Sequence, residues 1–180
     1  MRNFNKSKFI WDKKFILAFL VTLICAIICG IVLYKPVTNN IYFIDFAENY
    51  VYNVFSFKNS RLLLTHFVVD LIYLYLIFFI CHFTKFKYLS LILIFLRALF
   101  FGAYTVVLIG VNSLAGILVA IFVFVPATFL SLILCCLVAE CCRMLYKSYA
   151  VCMPLVLSVI NCVIYALLIN VLFRIIIVIV

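Results

Sequence analysis

The chain has 180 residues, of which 71% are hydrophobic and only 11% charged, and its mean hydropathy is +1.43. A soluble domain is about half apolar and a quarter charged, and a small one cannot cover so much apolar surface. The composition therefore excludes an ordinary water-soluble fold. It predicts one all-α domain over residues 1–180, a polytopic membrane helical bundle of about five transmembrane helices, with the lipid bilayer as its first partner.

The net charge of +9 comes from basic residues that gather at the ends of the apolar runs, where they orient helices in a bilayer. They form no basic stripe interleaved with stacking aromatics, so nucleic acid is not an expected partner. Most of the nine cysteines lie inside apolar runs as small hydrophobes, and no CxxC pair occurs. No metal or other cofactor is therefore expected.

Residues 1–14 are predicted to be a basic cytoplasmic N-terminus that leads into an apolar run over residues 15–34. That run is too long for the core of a cleaved signal peptide, and Lys35 and Pro36 after it show no small-residue cleavage pattern. We expect an uncleaved first membrane helix.

Residues 35–61 are predicted to be an extracytoplasmic amphipathic segment. Aromatic and aliphatic residues recur along one side at steps of three and four: Phe43, Phe46, Tyr50, Val54 and Phe57. Polar residues and one tyrosine fall on the other side: Asp45, Glu48, Asn49 and Tyr52. This period predicts a helix in the membrane interface with an external docking face at Phe43, Phe46, Tyr50 and Phe57. The alternative is a loop anchored by its aromatics.

Four more apolar runs follow, at residues 62–81, 88–110, 114–142 and 150–180. The run over residues 114–142 is longer than one crossing requires and contains Pro126, where we expect the helix to be broken. A kinked helix that crosses once and two half-helices that fold back both remain open.

The distribution of basic residues predicts the topology. With a cytoplasmic N-terminus, nine basic residues face inward and three face outward. The three on the outside are Lys35, Lys58 and Arg61. The bias predicts an extracytoplasmic C-terminus.

Two charges lie near the middle of predicted spans, Asp70 in the second and Arg97 in the third, and His66 precedes Asp70 by one helical turn. A central charge costs at least about 2.5 kcal/mol on insertion scales, so such residues are functional candidates. They predict either a proton or substrate path, or an ion pair that fixes helix register with His66 bonded nearby. At the end of the fourth run, Glu140 and Arg143 are expected to form a local pair.

In the last run, Ser158, Asn161 and Tyr165 align at helical spacing, which predicts hydrogen bonds to a neighbouring helix. Arg174, one turn after Asn170, is expected to extend to the outer headgroups.

The chain shows no GxSxG or HExxH motif and no glycine-rich phosphate loop, and it has two histidines and four glycines. We do not expect it to be an enzyme.

The order of features in residues 95–140 resembles the stage II sporulation protein M family. The third run reads FLRALFFGAYTVVLIG, with a basic residue and two small packing residues: Arg97, Gly102 and Gly110. A short polar reversal follows at residues 112–116, and then VFVPATFLSLIL surrounds Pro126 as the broken fourth helix of the family does.

The resemblance implies a non-enzymatic scaffold in a bacterial cytoplasmic membrane. Such a scaffold recruits or anchors peptidoglycan-degrading partners, membrane-anchored wall hydrolases of a septal complex, during spore engulfment. The chain departs from the family after the proline, where many relatives carry a histidine and a later glutamate and this sequence has Ala127, Thr128 and Ser131.

The alternative is a small transporter or permease subunit with a polar site near His66, Asp70 and Arg97, beside the helix break at Pro126. The identity of the partners and the formation of a homo-oligomer are left open by the sequence.

Overall fold

The computed structural model describes residues 12–33, 41–55, 59–84, 87–111, 113–141 and 147–179, and every regular element within these ranges is helical. The predicted all-α bundle is confirmed. The helices are α1 (Lys13–Val32), α2 (Ile41–Phe55), α3 (Asn59–Thr84), α4 (Ser90–Val111), α5 (Ser113–Val119), α6 (Val125–Cys141) and α7 (Lys147–Ile179). A 3-10 turn at Lys87–Leu89 precedes α4, and a π-helical turn at Ala120–Phe124 joins α5 to α6.

Among the described residues, five stretches of 20 to 28 residues are long and apolar enough to cross a membrane, and they coincide with the five predicted runs. About 20 apolar residues are enough to span the hydrocarbon core. The outer faces of these helices are apolar as well: Leu17 is 65% exposed and Ile28 55% exposed on α1. Surface of this kind fits a multi-pass membrane protein, since lipid rather than water must cover it.

Asp12 is the N-cap of α1. Its carboxylate oxygen accepts hydrogen bonds from the backbone N–H groups of Lys14 (3.0 Å) and Phe15 (3.4 Å). This cap satisfies N–H groups that have no partner within the helix. The buried residues of α1 recur at steps of three and four and form its inward face: Phe15, Phe19, Leu23, Ala26 and Gly30.

Glycines allow α1 and α4 to pack at very short range. A Cβ atom added to Gly102 would lie 2.6 Å from the carbonyl oxygen of Ile27, and one added to Gly30 would lie 2.9 Å from the backbone nitrogen of Ala103. Both distances are too short for a side chain, so the two backbones touch because neither residue has one. The structure agrees with the predicted packing role of Gly102. The predicted packing role of Gly110 needs correction, because Gly110 is exposed near the end of α4.

The fourth span, Leu114–Cys141, stays helical through Pro126, so it does not fold back as two half-helices. The irregularity is the π-helical turn just before the proline, where the N–H of Val125 bonds to the carbonyl oxygen of Ala120. Proline lacks an N–H group and its ring clashes with the carbonyl four residues earlier. A wider turn at this point relieves the clash, and the chain crosses once.

The helix predicted in this segment is present as α2, and its apolar face is turned inward against α4 and α5. Its buried residues are Ala47, Tyr50, Val51 and Val54, and its exposed residues include Asp45, Glu48, Asn49 and Tyr52. The external docking face needs one correction: Tyr50 is only 9% exposed, because it packs into the bundle. The side chains of Phe43 and Phe46, and the whole of Phe57, lie outside the described part of the chain.

The helix ends lie in two groups at opposite ends of the bundle, as expected for a chain that crosses a membrane five times in succession. At one end α2 meets the last turns of α7, where the rings of Phe55 and Phe173 are in edge contact with centroids 6.4 Å apart. At the opposite end Asp12, Lys87 and Glu140 meet. Between these ends the core consists of two apolar clusters, and polar side chains lie among the spans near their midpoints.

Candidate functional site

Asp70 is the centre of a polar cluster to which four of the five spans contribute. It is fully buried, and its Oδ1 atom accepts hydrogen bonds from Arg97 on α4 and, at 2.8 Å, from the hydroxyl of Ser131 on α6. Its Oδ2 atom accepts a hydrogen bond from the amide of Asn161 on α7. A buried carboxylate needs an opposite charge and several donors, and here each comes from a different helix.

His66 extends the cluster by one turn of α3. Its Nε2 atom lies 3.4 Å from Oδ2 of Asp70 and 3.2 Å from Nδ2 of Asn161. The imidazole also stacks on the ring of Tyr165, with centroids 4.2 Å apart. The histidine is therefore held in place by α7, with one ring nitrogen directed at the carboxylate.

Arg97 has two further neighbours besides Asp70. Its guanidinium lies over the ring of Tyr73, 4.7 Å from the centroid, and one nitrogen is 3.9 Å from the sulfur of Cys135. Cation–π contacts of this kind are stronger where water is excluded. Arginine has five N–H donors, and the hydrogen bonds to Asp70 and Cys135 use two of them.

The sequence located four members of this cluster and missed two. The predicted ion pair between Asp70 and Arg97 is confirmed, as is the proximity of His66. Asn161 makes the interhelical hydrogen bonds expected of it. Ser131 and Cys135 were missed, although their spacing of four places both on one face of α6.

Arg174 does not join the cluster. It is exposed four residues after Asn170, which is also exposed, near the end of α7. Its exposed position is compatible with the predicted contact to headgroups.

One buried polar atom of the cluster is unsatisfied. Among the described residues, Oδ1 of Asn161 has no hydrogen-bond partner, although the residue is fully buried. Such an atom costs free energy unless water or another molecule supplies a donor.

A cavity of about 570 Å³ reaches the cluster along the groove between α3 and α4. On α3 it extends from Arg61 to Tyr73, which is about 18 Å of helix. Thr65 and Val69 on this path are exposed, whereas Arg97 at the inner part is buried. The cavity thus connects the molecular surface to the charged centre, and its volume falls in the range of small-molecule sites.

The walls of the cavity are mainly aromatic. Besides Tyr73, six aromatic residues from three helices and the π-helical turn line it: Tyr50, Phe100, Phe101, Tyr104, Phe124 and Tyr165. Polar groups are concentrated at two places, at the α2 end, where Asn49, Asn53 and Arg61 lie, and at the inner end with His66 and Arg97.

Helix α2 is coupled to the cluster through two tyrosines. The hydroxyls of Tyr50 and Tyr165 are 2.6 Å apart in a buried hydrogen bond, and Tyr165 in turn stacks on His66. Burial raises the pKa of the Tyr50 hydroxyl above its ordinary value. Both tyrosines also line the cavity, and α2 therefore forms part of its wall through Tyr50.

A second charged cluster lies at the opposite end of the bundle and was not predicted. The Nζ atom of Lys87 lies 2.8 Å from Oδ2 of Asp12 and 2.8 Å from Oε1 of Glu140. The hydrogen bond from Lys87 lowers the pKa of Asp12 below its usual range. Glu140 thus takes part in an interhelical ion pair, and its expected local pair with Arg143 lies outside the described residues.

Within the described ranges, no group of three or more histidine, cysteine, aspartate or glutamate side chains is arranged to hold a metal ion. No protein-family model, no curated protein and no solved structure matches the chain. The resemblance to the stage II sporulation protein M family therefore stays a prediction from the order of sequence features.

Proposed function

We propose that the chain binds a small solute in the cavity between α3 and α4, as a small transporter or a permease subunit. The observation that carries the proposal is that the cavity reaches His66 and Arg97, two members of a charged cluster near the midpoints of the spans. An ion pair that only fixes helix register does not need a path from the surface. Membrane transporters commonly place their sites at this depth.

The cluster offers a solute two kinds of interaction. The donors of Arg97 that bond neither Asp70 nor Cys135 can bind oxygen atoms of a solute. The short distance between His66 and Asp70 allows a proton to move between them, and a solute that binds Arg97 would act on the group that neutralises Asp70. This linkage is a route by which solute binding and proton movement can be coupled.

The proposal includes a location and an orientation. We propose a bacterial cytoplasmic membrane with the N-terminus in the cytoplasm and the C-terminus outside, which the distribution of nine basic residues against three supports. The α2 end of the cavity then opens to the extracytoplasmic side, where Asn49 and Arg61 receive the solute.

The experiment is solute-driven flux in proteoliposomes loaded with a pH-sensitive dye. A panel of small carboxylates, amino acids, phosphate esters and alkyl phosphates is added outside under an imposed membrane potential. We expect at least one to change the internal pH, and Thr65→Trp, which fills the cavity, to abolish the change. Leu64→Trp is the matched control, since Leu64 is the preceding residue and is 63% exposed outside the cavity.

Asp70→Asn should also abolish the flux, because it removes the proton acceptor beside His66. If no member of the panel gives flux above empty vesicles, or if both tryptophan variants behave alike, the proposal is wrong.

A second candidate function is the scaffold that anchors wall hydrolases. The observation in its favour is the outward face of α2, where Tyr42 is 83% exposed and Tyr52 68% exposed beside the acidic Asp45 and Glu48. Affinity purification from sporulating cells tests it: a co-purifying wall hydrolase that is lost with a Tyr42→Ala/Tyr52→Ala variant supports the scaffold. Recovery of no hydrolase contradicts it.

A further inference from the structure

We infer that the ligand of the cavity is an anionic amphiphile, a molecule with one phosphate or carboxylate head and an apolar tail. The inference rests on the proposed function and names the chemical class of its solute. It follows from the charge of the lining, the nature of the walls and the side from which the cavity is open.

The lining carries positive charge without a compensating carboxylate of its own. Arg61, Arg97 and His66 line the cavity, and no aspartate or glutamate is among the described lining residues. Asp70 lies behind the wall and neutralises Arg97, so Arg61 leaves an excess of one positive charge. In a low-dielectric environment this excess selects an anion.

The positions of the two arginines define where the acidic head binds. Arg61 lies at the start of α3 and Arg97 near the middle of α4, and both face the same cavity. An acidic head can therefore bind first at Arg61 and then at Arg97, whose remaining donors provide paired N–H groups for its oxygens.

The remaining walls suit an apolar tail better than a hydrated solute. Phe100, Phe101, Tyr104 and Phe124 contribute large aromatic surfaces that can pack along an alkyl chain. A small hydrophilic anion such as inorganic phosphate would leave these walls uncovered.

The cavity is open towards the lipid as well as towards α2. Thr65, Val69 and Phe100 line it and are exposed on the sides of α3 and α4, within the stretches that cross the membrane. A tail can therefore enter between the helices from the bilayer while the head binds at Arg61. The ligand can be an anionic membrane lipid or a free amphiphile from solution, since both carry the same head and tail.

The test is equilibrium binding of radiolabelled dodecyl phosphate to the full chain in nanodiscs of neutral phosphatidylcholine, corrected for empty nanodiscs. We expect laurate to compete, and dodecyltrimethylammonium and inorganic phosphate not to compete. Arg61→Gln should weaken binding at least threefold. Arg174→Gln removes the same charge at the same end of the bundle but outside the cavity, and it should leave binding unchanged.

A second arm distinguishes the two sources of the ligand. Nanodiscs that contain phosphatidylglycerol should show reduced dodecyl phosphate binding if a membrane lipid occupies the site, and unchanged binding if only free amphiphiles enter. Equal competition by the cationic amphiphile, or equal effects of Arg61→Gln and Arg174→Gln, would overturn the inference.

The two proposals fail separately. If a non-amphiphilic solute drives flux that Thr65→Trp abolishes, while dodecyl phosphate does not bind, the ligand class is wrong and the proposed function stands. If neither flux nor binding depends on Thr65, the cavity is not a site at all.

Discussion

The two faces of α4 show opposite ways in which membrane helices meet. Towards α1, Gly102 and Ala103 bring the backbones into contact, and no side chain fits between them. Towards α3, Arg97, Phe101 and Tyr104 recur at steps of four and three and line the cavity. The same helix thus forms a close seam on one side and, on the other, one wall of the cavity, an aromatic-lined cleft that leads to a charged centre.

The difference shows what each kind of residue does at membrane depth. Small residues let two helix backbones approach closely. Large and charged side chains hold helices apart, and the charged ones need polar partners. The cleft needs the Asp70 cluster because a charge such as Arg97 cannot remain alone there. The functional candidates therefore lie on the loosely packed face, and the opposite face holds α4 close to α1.

The largest effect is expected from breaking the ion pair in the cleft. Asp70→Asn leaves the buried charge of Arg97 without a partner, and such changes cost about 3–5 kcal/mol. The double variant Asp70→Asn/Arg97→Gln should recover part of this loss, because no charge remains. Thermal unfolding in detergent for all four members of the cycle measures the coupling. Additive losses, or single variants as stable as the parent, would show that the pair does not hold the cleft together.

The close seam is tested by adding a side chain to it. Gly102→Leu should destabilise the protein by at least about 1–3 kcal/mol, the usual cost of overpacking, because its Cβ atom would clash with the backbone of Ile27. Gly110→Leu is the control on the same helix, since Gly110 is exposed. The unfolding temperatures of the two variants should differ clearly. If they are equal, the two helices are not in contact at Gly102.

A smaller effect is expected where α2 meets the cleft. Tyr50→Phe removes the hydroxyl that bonds to Tyr165, which should cost about 1 kcal/mol and loosen α2. Hydrogen exchange of the α2 amides, followed by mass spectrometry, should become faster in this variant. Tyr52→Phe, on the exposed face of α2, should leave the exchange unchanged. Equal exchange in both variants would mean that the tyrosine pair does not anchor α2.

The smallest effect concerns pH at the far end of the seam, where Asp12 at the start of α1 bonds to Lys87 just before α4. This hydrogen bond lowers the pKa of Asp12, so the folded state binds the proton less tightly than the unfolded state. The resulting stabilisation is present at neutral pH and is lost as the pH falls below about 4, through the lowered pKa. Unfolding temperatures from pH 3 to 7 should fall less steeply at acid pH for Asp12→Asn than for the parent. Parallel curves would contradict the pairing.

Much of the fold was predictable because it depends on local composition. The five runs, the amphipathic period of α2 and the central charges Asp70 and Arg97 are visible in the sequence. Partners across helices were harder to predict, because they depend on rotation and register. Tyr50 fits the aromatic pattern that predicted an external face, yet its hydroxyl forms a hydrogen bond with Tyr165 inside the bundle.

The same limit explains the missed partners of the charged groups. Ser131 and Cys135 resemble many small residues in apolar runs until α6 is placed beside Asp70 and Arg97. Lys87 looks like one more basic residue of a loop, but it lies between two carboxylates from different helices. The cavity itself depends on how far α3 and α4 stand apart, and no local pattern encodes that distance.

The most direct test is whether water-soluble reagents reach the cleft. In a background with all nine cysteines replaced, Thr128→Cys places a thiol in the cavity wall, whereas Ala127→Cys places one in the adjacent buried core. We expect an anionic methanethiosulfonate added to proteoliposomes to modify Cys at position 128 at least tenfold faster than at position 127. Equal, slow modification of both positions would contradict a cleft that leads to Arg97.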